Sequence, residues 1–211
     1  MKVKLCFLML TAPYNPWKEL SVGAKNTWLK EIDTQNDFFF QYVGRPLPLN
    51  SNNFINTILK SRKFKFLCAV RYINSVLDYD YLIKVNTTTW VNVNELRSYL
   101  EVNQPSCAGV VDKNKTFPAG WASIFSRSLL ESVLLSTLKD PLHVSGYDDE
   151  LIGKVLTKLD VHPERIKYVE YPKGDYREMQ DSPFIRIKSK SGRILSDLRK
   201  FDEVNVLLRQ S

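Results

Sequence analysis

The sequence predicts an α/β protein, a three-layer sandwich in which helices flank a central, mostly parallel sheet. Three observations predict it. Apolar runs of strand length recur at Lys2–Leu10, Asp37–Gly44, Tyr81–Val85 and Cys107–Val111, the wording of strands covered on both faces. Longer segments with apolar residues at helical spacing alternate with them, as βαβ units require. The 211 residues, 44% of them hydrophobic, are enough for one well-filled core.

The elements follow in order. Lys2–Leu10 is the first strand, ending at Thr11-Ala12-Pro13, where proline has no N–H to continue a ladder. The opening MKVKLCFLMLTAP imitates a secretory signal. Its uninterrupted apolar run, Leu5–Leu10, is shorter than the ~7–15 residues a signal uses, so it reads as a buried strand. Ser21–Ile32 is a helix with Ser21 as its cap. Asp37–Gly44 is the second strand, Leu47–Asn53 a proline- and asparagine-rich loop. Phe54–Val76 reads as helices interrupted near Lys63. Tyr81–Val85 is a strand, Asn94–Leu100 a short helix and Cys107–Val111 a strand. Ser126–Leu138 carries Leu129, Leu130, Val133, Leu134 and Leu138 on one helical stripe. Asp148–Leu159 is a helix with acids in its first turn, where the helix dipole favours them. Phe184–Lys200 holds six basic residues and one acid, a solvated basic tail or linker after a core of about residues 1–180. A single domain with a basic segment 183–211 is expected.

Composition narrows the partners. Thirty basic against 23 acidic residues give a net charge of +7, which suits nucleic acid, anionic lipid or phosphorylated small molecules. Three cysteines without a CxxC spacing exclude a disulfide scaffold and favour a reducing compartment. No apolar run approaches the ~20 residues of a membrane span, so a soluble, cytoplasmic protein is expected. GxGxxG, GxxxxGK[ST], GxSxG and HExxH are all missing, which argues against Rossmann dehydrogenases, P-loop enzymes, serine hydrolases and zincins. In an open parallel sheet, ligands bind beyond the carboxyl ends of the strands. The residues there are Thr11–Tyr14, Gly44-Arg45, Asn86–Thr89 and Asp112-Lys113.

Five segments, in order, resemble one family: the GT-A glycosyltransferases of the β1,3-galactosyltransferase and fringe group. LTAP (10–13) with AKNTWL (24–29) resembles the family's first strand and its Arg-x-Thr-Trp helix. FINTILKS (54–61) is similar to Tyr-x-Asn-Leu-Thr-Leu-Lys-Thr. YDYLIKVNTTTWVNVNELRSYL (79–100) resembles Tyr-Asp-Phe-Leu-Leu-Lys-x-Asp-Asp-Asp-x-Phe-Val-Asn-Val. FPAGWASIFSRSLL (117–130) resembles the glycine-rich acceptor segment. GYDDELIG (146–153) resembles the Glu-Asp-Val or Asp-Asp-Met segment. The resemblance spans most of residues 5–155.

The resemblance implies a UDP-sugar donor, a glycan acceptor and a divalent cation, Mn²⁺ or Mg²⁺. By it, Thr11, Ala12, Pro13 and Tyr14 cradle the uracil and ribose, and Lys60 and Lys84 meet phosphates unless they are merely solvated. Asn86, Thr87 and Thr88 stand where the family has its three metal-binding aspartates. Their neutral oxygens are poorer ligands for hard cations, so Asn86 and Thr88 form at best a degenerate metal site. A literal Asp-x-Asp occurs as Asp78-Tyr79-Asp80, the runner-up metal site or else a solvated turn before the third strand.

Transfer to a hydroxyl with inversion needs a carboxylate to take the acceptor proton. The resemblance implies that Asp149 is that base, with Asp148 orienting it or holding an acceptor hydroxyl; helix capping is the rival reading, and the two are compatible. Gly120, Trp121 and Ala122 would line the sugar and acceptor side, Trp121 as a platform for a pyranose face or as ordinary packing. Trp90 is expected in the core. Lys173 and Arg177, in YPKGDYRE, are candidate phosphate clamps. The wording is also similar to glycosyltransferase domains encoded by large chlorella viruses. That implies work on capsid glycans in the host cytoplasm, as an N-terminal domain of a longer protein. Two other readings stand beside it: a basic nucleic-acid-binding protein, and a pseudoenzyme that binds sugar without transferring it.

Overall fold

The computed structural model describes residues 2–11, 17–43, 54–56, 62–113, 115–139, 148–187 and 193–209. The chain begins with β1 (Leu5–Thr11), α1 (Trp17–Asn26), a 3-10 turn at Trp28–Glu31, β2 (Phe38–Val43) and β3 (Phe54–Asn56). It continues through α2 (Arg62–Val76), β4 (Tyr81–Asn86), β5 (Thr89–Val91), α3 (Val93–Asn103), β6 (Cys107–Gly109) and β7 (Ala122–Ser126). Then come α4 (Arg127–Lys139), α5 (Asp148–Lys158), β8 (Glu164–Arg165), β9 (Tyr168–Tyr171), α6 (Tyr176–Gln180), β10 (Phe184–Ile187) and α7 (Arg193–Arg209).

The main sheet runs β3-β2-β1-β4-β7-β6-β8. β1, β2, β3 and β4 are parallel, while β7 is antiparallel to both neighbours. The chain moves outward from β1 to β2 and β3, then returns to place β4 on the other side of β1. That reversal makes the carboxyl ends of β1 and β4 a topological switch point, where open α/β sheets bind ligands. Leu10 is in register with Asn86 there.

Side-chain alternation divides the core into two halves. Leu5, Phe7 and Met9 of β1 and Tyr81, Ile83 and Val85 of β4 point to one face, with Trp28, Leu96 and Phe201. Cys6, Leu8 and Leu82 point to the other, under Phe66 and Ile73 of α2, Leu130 of α4 and Val155 of α5. Lys84 continues the Leu82 row, so alternation sends an ammonium into the face that α2, α4 and α5 cover. Asn92 caps α3 by accepting from the Glu95 N–H, and Gln104 closes it in the left-handed conformation. Asp175 and Glu178 form a reciprocal capping box on α6.

Four expectations change. α1 starts at Trp17, and Ser21 lies inside it, its hydroxyl donating to the Lys18 carbonyl instead of capping. Phe54–Asn56 is a strand, because edge pairing with Gln41–Val43 outweighs the helical spacing. Ala122–Ser126 is a strand that the sequence reading does not assign, and the helix expected from Ser126 starts at Arg127. The basic segment is built into the fold. Phe184, Ile185 and Ile187 are fully buried in a second sheet, β5-β10-β9, and Phe201 and Val204 of α7 are fully buried beside it. The Leu47–Asn53 loop lies outside the described residues. No helix among those described is long and apolar enough to cross a membrane.

Candidate functional site

The switch point gathers most of the described candidates. Lys84 is 1% exposed, and its Nζ lies 3.0 Å from the Asp148 Oδ2 carboxylate oxygen. The same ammonium donates to the Gly120 carbonyl at 3.0 Å and sits 5.5 Å from the centre of the Phe66 ring. The Tyr42 hydroxyl reaches Asp148 Oδ2 at 3.3 Å. A buried charge is tolerated only when paired and hydrogen-bonded, and Lys84 and Asp148 satisfy each other in that way. Of the two readings of Lys84, phosphate contact or solvation, solvation is corrected: its strand position aims it inward.

Asp148 and Asp149 open α5, so both capping and function remain compatible with their place. Asp148 is consumed by Lys84 and Tyr42. Asp149 is half-buried, and among the described residues no hydrogen-bond or ion-pair partner holds its carboxylate. It lies against Gly120: a Cβ added to that glycine would sit 2.9 Å from Lys84 Nζ and 3.6 Å from Asp149 Cβ. Gly109 performs a similar service one strand away. Its φ is 153°, and a Cβ there would lie 2.4 Å from the Ala122 carbonyl oxygen, so there is no room for a side chain where β7 begins.

Asn86-Thr87-Thr88 forms a closed turn at the end of β4. The Asn86 Oδ1 oxygen accepts from Thr88 N–H at 3.0 Å, Thr88 Oγ1 at 2.9 Å and Thr89 Oγ1 at 3.0 Å. The Thr89 hydroxyl also lies 2.8 Å from the Trp121 carbonyl, joining the turn to the Gly120-Trp121 segment. Thr87 Oγ1 is buried and has no partner among the described residues, so it offers one neutral, inaccessible oxygen. A hard divalent ion wants several charged oxygens. Here the amide oxygen is saturated, the nearby Asp148 already neutralises Lys84, and no group of three His, Cys, Asp or Glu clusters among the described residues. The turn does not fit a divalent cation.

Asp78 and Asp80 sit at the opposite, amino end of β4. Asp78 pairs with Lys4 at 2.6 Å and Arg127 at 3.1 Å, and Asp80 accepts the Lys4 N–H. Salt-bridge donation from Lys4 holds the Asp78 carboxyl below the usual range. Thr11, at the end of β1, is buried and donates weakly to the Trp17 carbonyl at 3.4 Å. Ala12, Pro13, Tyr14 and Lys60 lie outside the described residues.

Trp121 is buried, with the Arg186 guanidinium 5.0 Å over its ring and Tyr168 edge-on at 5.2 Å. Ala122, next in the chain, is fully buried at the start of β7. Trp90 is a core residue, as expected. Lys173 is exposed and paired with Glu170 at 3.3 Å, and Arg177 is exposed on α6. Arg186 escaped the sequence reading. It was one cation among six in an apparent tail, and only the strand β10 aims it at Trp121.

No protein-family model matches the sequence, and no curated protein matches it. Solved structures do resemble it. One is a glycosyltransferase involved in glycosylation of the major capsid of PBCV-1, 9% identical, with a TM-score of 0.58 over 94% of this chain and 100% of that one. The glycosyltransferase GlyE of Streptococcus pneumoniae TIGR4, in its apo form and in a second structure, is 10% identical with a TM-score of 0.55. Those alignments cover 99% of this chain and 63% of GlyE, so the chain spans less than two thirds of GlyE's length. At these identities the likeness establishes the fold: an α/β sandwich of the architecture that these glycosyltransferases share.

Proposed function

We propose that this chain transfers a hexose or deoxyhexose from a UDP-sugar to a hydroxyl of a glycan acceptor. The observation that carries the reading is the placement of Asp149. Its carboxylate, unpaired among the described residues, opens α5 beside Gly120, next to the buried Lys84–Asp148 pair at the switch point of the sheet. In the reaction the acceptor oxygen attacks the anomeric carbon as the bond to the UDP oxygen breaks. Asp149 takes the acceptor proton, and the anomeric configuration inverts. Thr11 and the undescribed residues after it would receive the nucleoside. Gly120 and Trp121 would border the sugar, and Lys173 and Arg177 would serve as further hydrogen-bond donors to phosphate.

The resemblance to the β1,3-galactosyltransferase and fringe group supports this assignment, and the fold shared with glycosyltransferases is compatible with it. The neighbour that acts on the PBCV-1 capsid favours a capsid glycan as acceptor, made in a host cytoplasm by a single-domain unit of this kind. One observation favours a second reading. The saturated Asn86 turn lacks the charge that usually assists leaving-group departure, as expected of a sugar-binding pseudoenzyme.

Incubation with a panel of UDP-hexoses and UDP-deoxyhexoses, with glycan acceptors and UDP release as readout, separates the two. Transfer requires release above background that disappears in Asp149→Asn. Binding of the sugar nucleotides without release, in wild type as in the variant, would establish the pseudoenzyme instead.

A further inference from the structure

A nucleotide diphosphate carries charge that a protein must meet, and the turn at Asn86–Thr88 has no carboxylate with which to recruit a cation for that task. The second sheet supplies a charge directly. Arg186 on β10 is in register with Thr89 on β5. The Thr89 hydroxyl contacts both Asn86 Oδ1 and the Trp121 carbonyl, so Arg186 stands one cross-strand pair from the end of β4. Its side chain is 27% exposed, its guanidinium carbon 5.0 Å from the centre of the Trp121 ring, and its partner is the Glu170 carboxylate at 3.5 Å, a long contact. A guanidinium held over an aromatic ring and only loosely paired keeps donors available for bidentate contact with phosphate.

We propose that Arg186, in place of a protein-bound divalent cation, is the charge that meets the donor diphosphate. The inference rests on the UDP-sugar reading above and deepens it. Trp121 then carries the arginine over its ring as well as bordering the sugar beside Gly120. Glu170 holds the guanidinium until the more highly charged diphosphate takes its place.

The test is calorimetric titration of UDP into the full chain, with excess chelator and then with Mn²⁺, with inorganic pyrophosphate as a second probe. The expected result is equal affinity in both buffers, weakened about tenfold or more in Arg186→Gln, the loss of charge-assisted hydrogen bonds. Arg127→Gln removes the same charge at the opposite end of β4 and should bind as wild type does. Arg186→Lys keeps a cation over Trp121 and should lose about fivefold, one hydrogen bond's worth; it decides the matter if the glutamine variant unfolds. UDP binding that requires Mn²⁺, or that survives loss of Arg186, would overturn the inference and leave the UDP-sugar reading standing. Absence of UDP binding in either buffer would overturn that reading and this inference with it.

Discussion

Lys84 and Asp148 meet inside the protein, 3.0 Å apart, across the gap between the fourth strand and the first turn of α5. The pair is the joint by which a helix opening is fastened to the edge of the sheet. The lysine also carries the Gly120 carbonyl, so three chain segments converge on one ammonium. Asp149 inherits its position from this joint.

Removing one partner leaves the other buried and uncompensated. Lys84→Met should lower the unfolding free energy by about 3–5 kcal/mol in urea titrations. Adding Asp148→Leu to it should recover most of that loss, since an apolar pair of similar volume suits the Phe66 and α5 surroundings.

Gly120→Ala tests crowding of the site. Its methyl would press on Lys84 Nζ and approach Asp149. Displacing a positioned base by about 1 Å costs on the order of 10²-fold in rate. UDP release should fall by roughly that factor, with the far-ultraviolet circular dichroism spectrum unchanged.

Asp149→Asn should reduce turnover by about 10²–10⁴-fold, the range for a lost general base. Asp149 has no partner to strand among the described residues, so the unfolding free energy from urea titration should change little, within about 0.5 kcal/mol.

Thiol reactivity should separate the three cysteines. Cys68 is exposed, whereas Cys6 and Cys107 are buried in the core. Burial pushes both buried thiols up, and burial together with the Glu164 charge takes Cys107 up to about 12. An aromatic disulfide reagent at pH 8 should label Cys68 alone in the native protein and all three thiols in guanidinium.

The C-terminal helix should behave as core. Phe201 is fully buried with Trp28 and Ala24 in the same apolar cluster. Phe201→Ala should cost about 3–5 kcal/mol of unfolding free energy, as large-to-small core changes do.

Much of this architecture was legible in the sequence. The apolar runs around Phe7, Phe39, Ile83 and Cys107 marked four strands of the main sheet, because a strand buried on both faces needs such runs. The acidic opening of α5 was legible for the same kind of local reason. The short strand Phe54–Asn56 was hidden because its pairing with β2 is a tertiary effect that spacing does not record. The fate of Lys84 was hidden as well. Its flanking residues gave a strand, but which face that strand turned toward α5 depended on packing. Charge count misread residues 184–200: their basic residues suggested a tail, while Ile185 and Ile187 already flanked Arg186 with the alternation of a strand.

The most direct test of the site's location is an amide chemical-shift map of the ¹⁵N-labelled chain during titration with UDP in chelator. A donor site at the switch point predicts saturable shifts at Thr11, Asn86–Thr89, Gly120–Trp121 and Arg186. Shifts confined to the exposed lysines and arginines elsewhere, or none at millimolar UDP, would contradict a nucleotide-sugar site at this edge of the sheet.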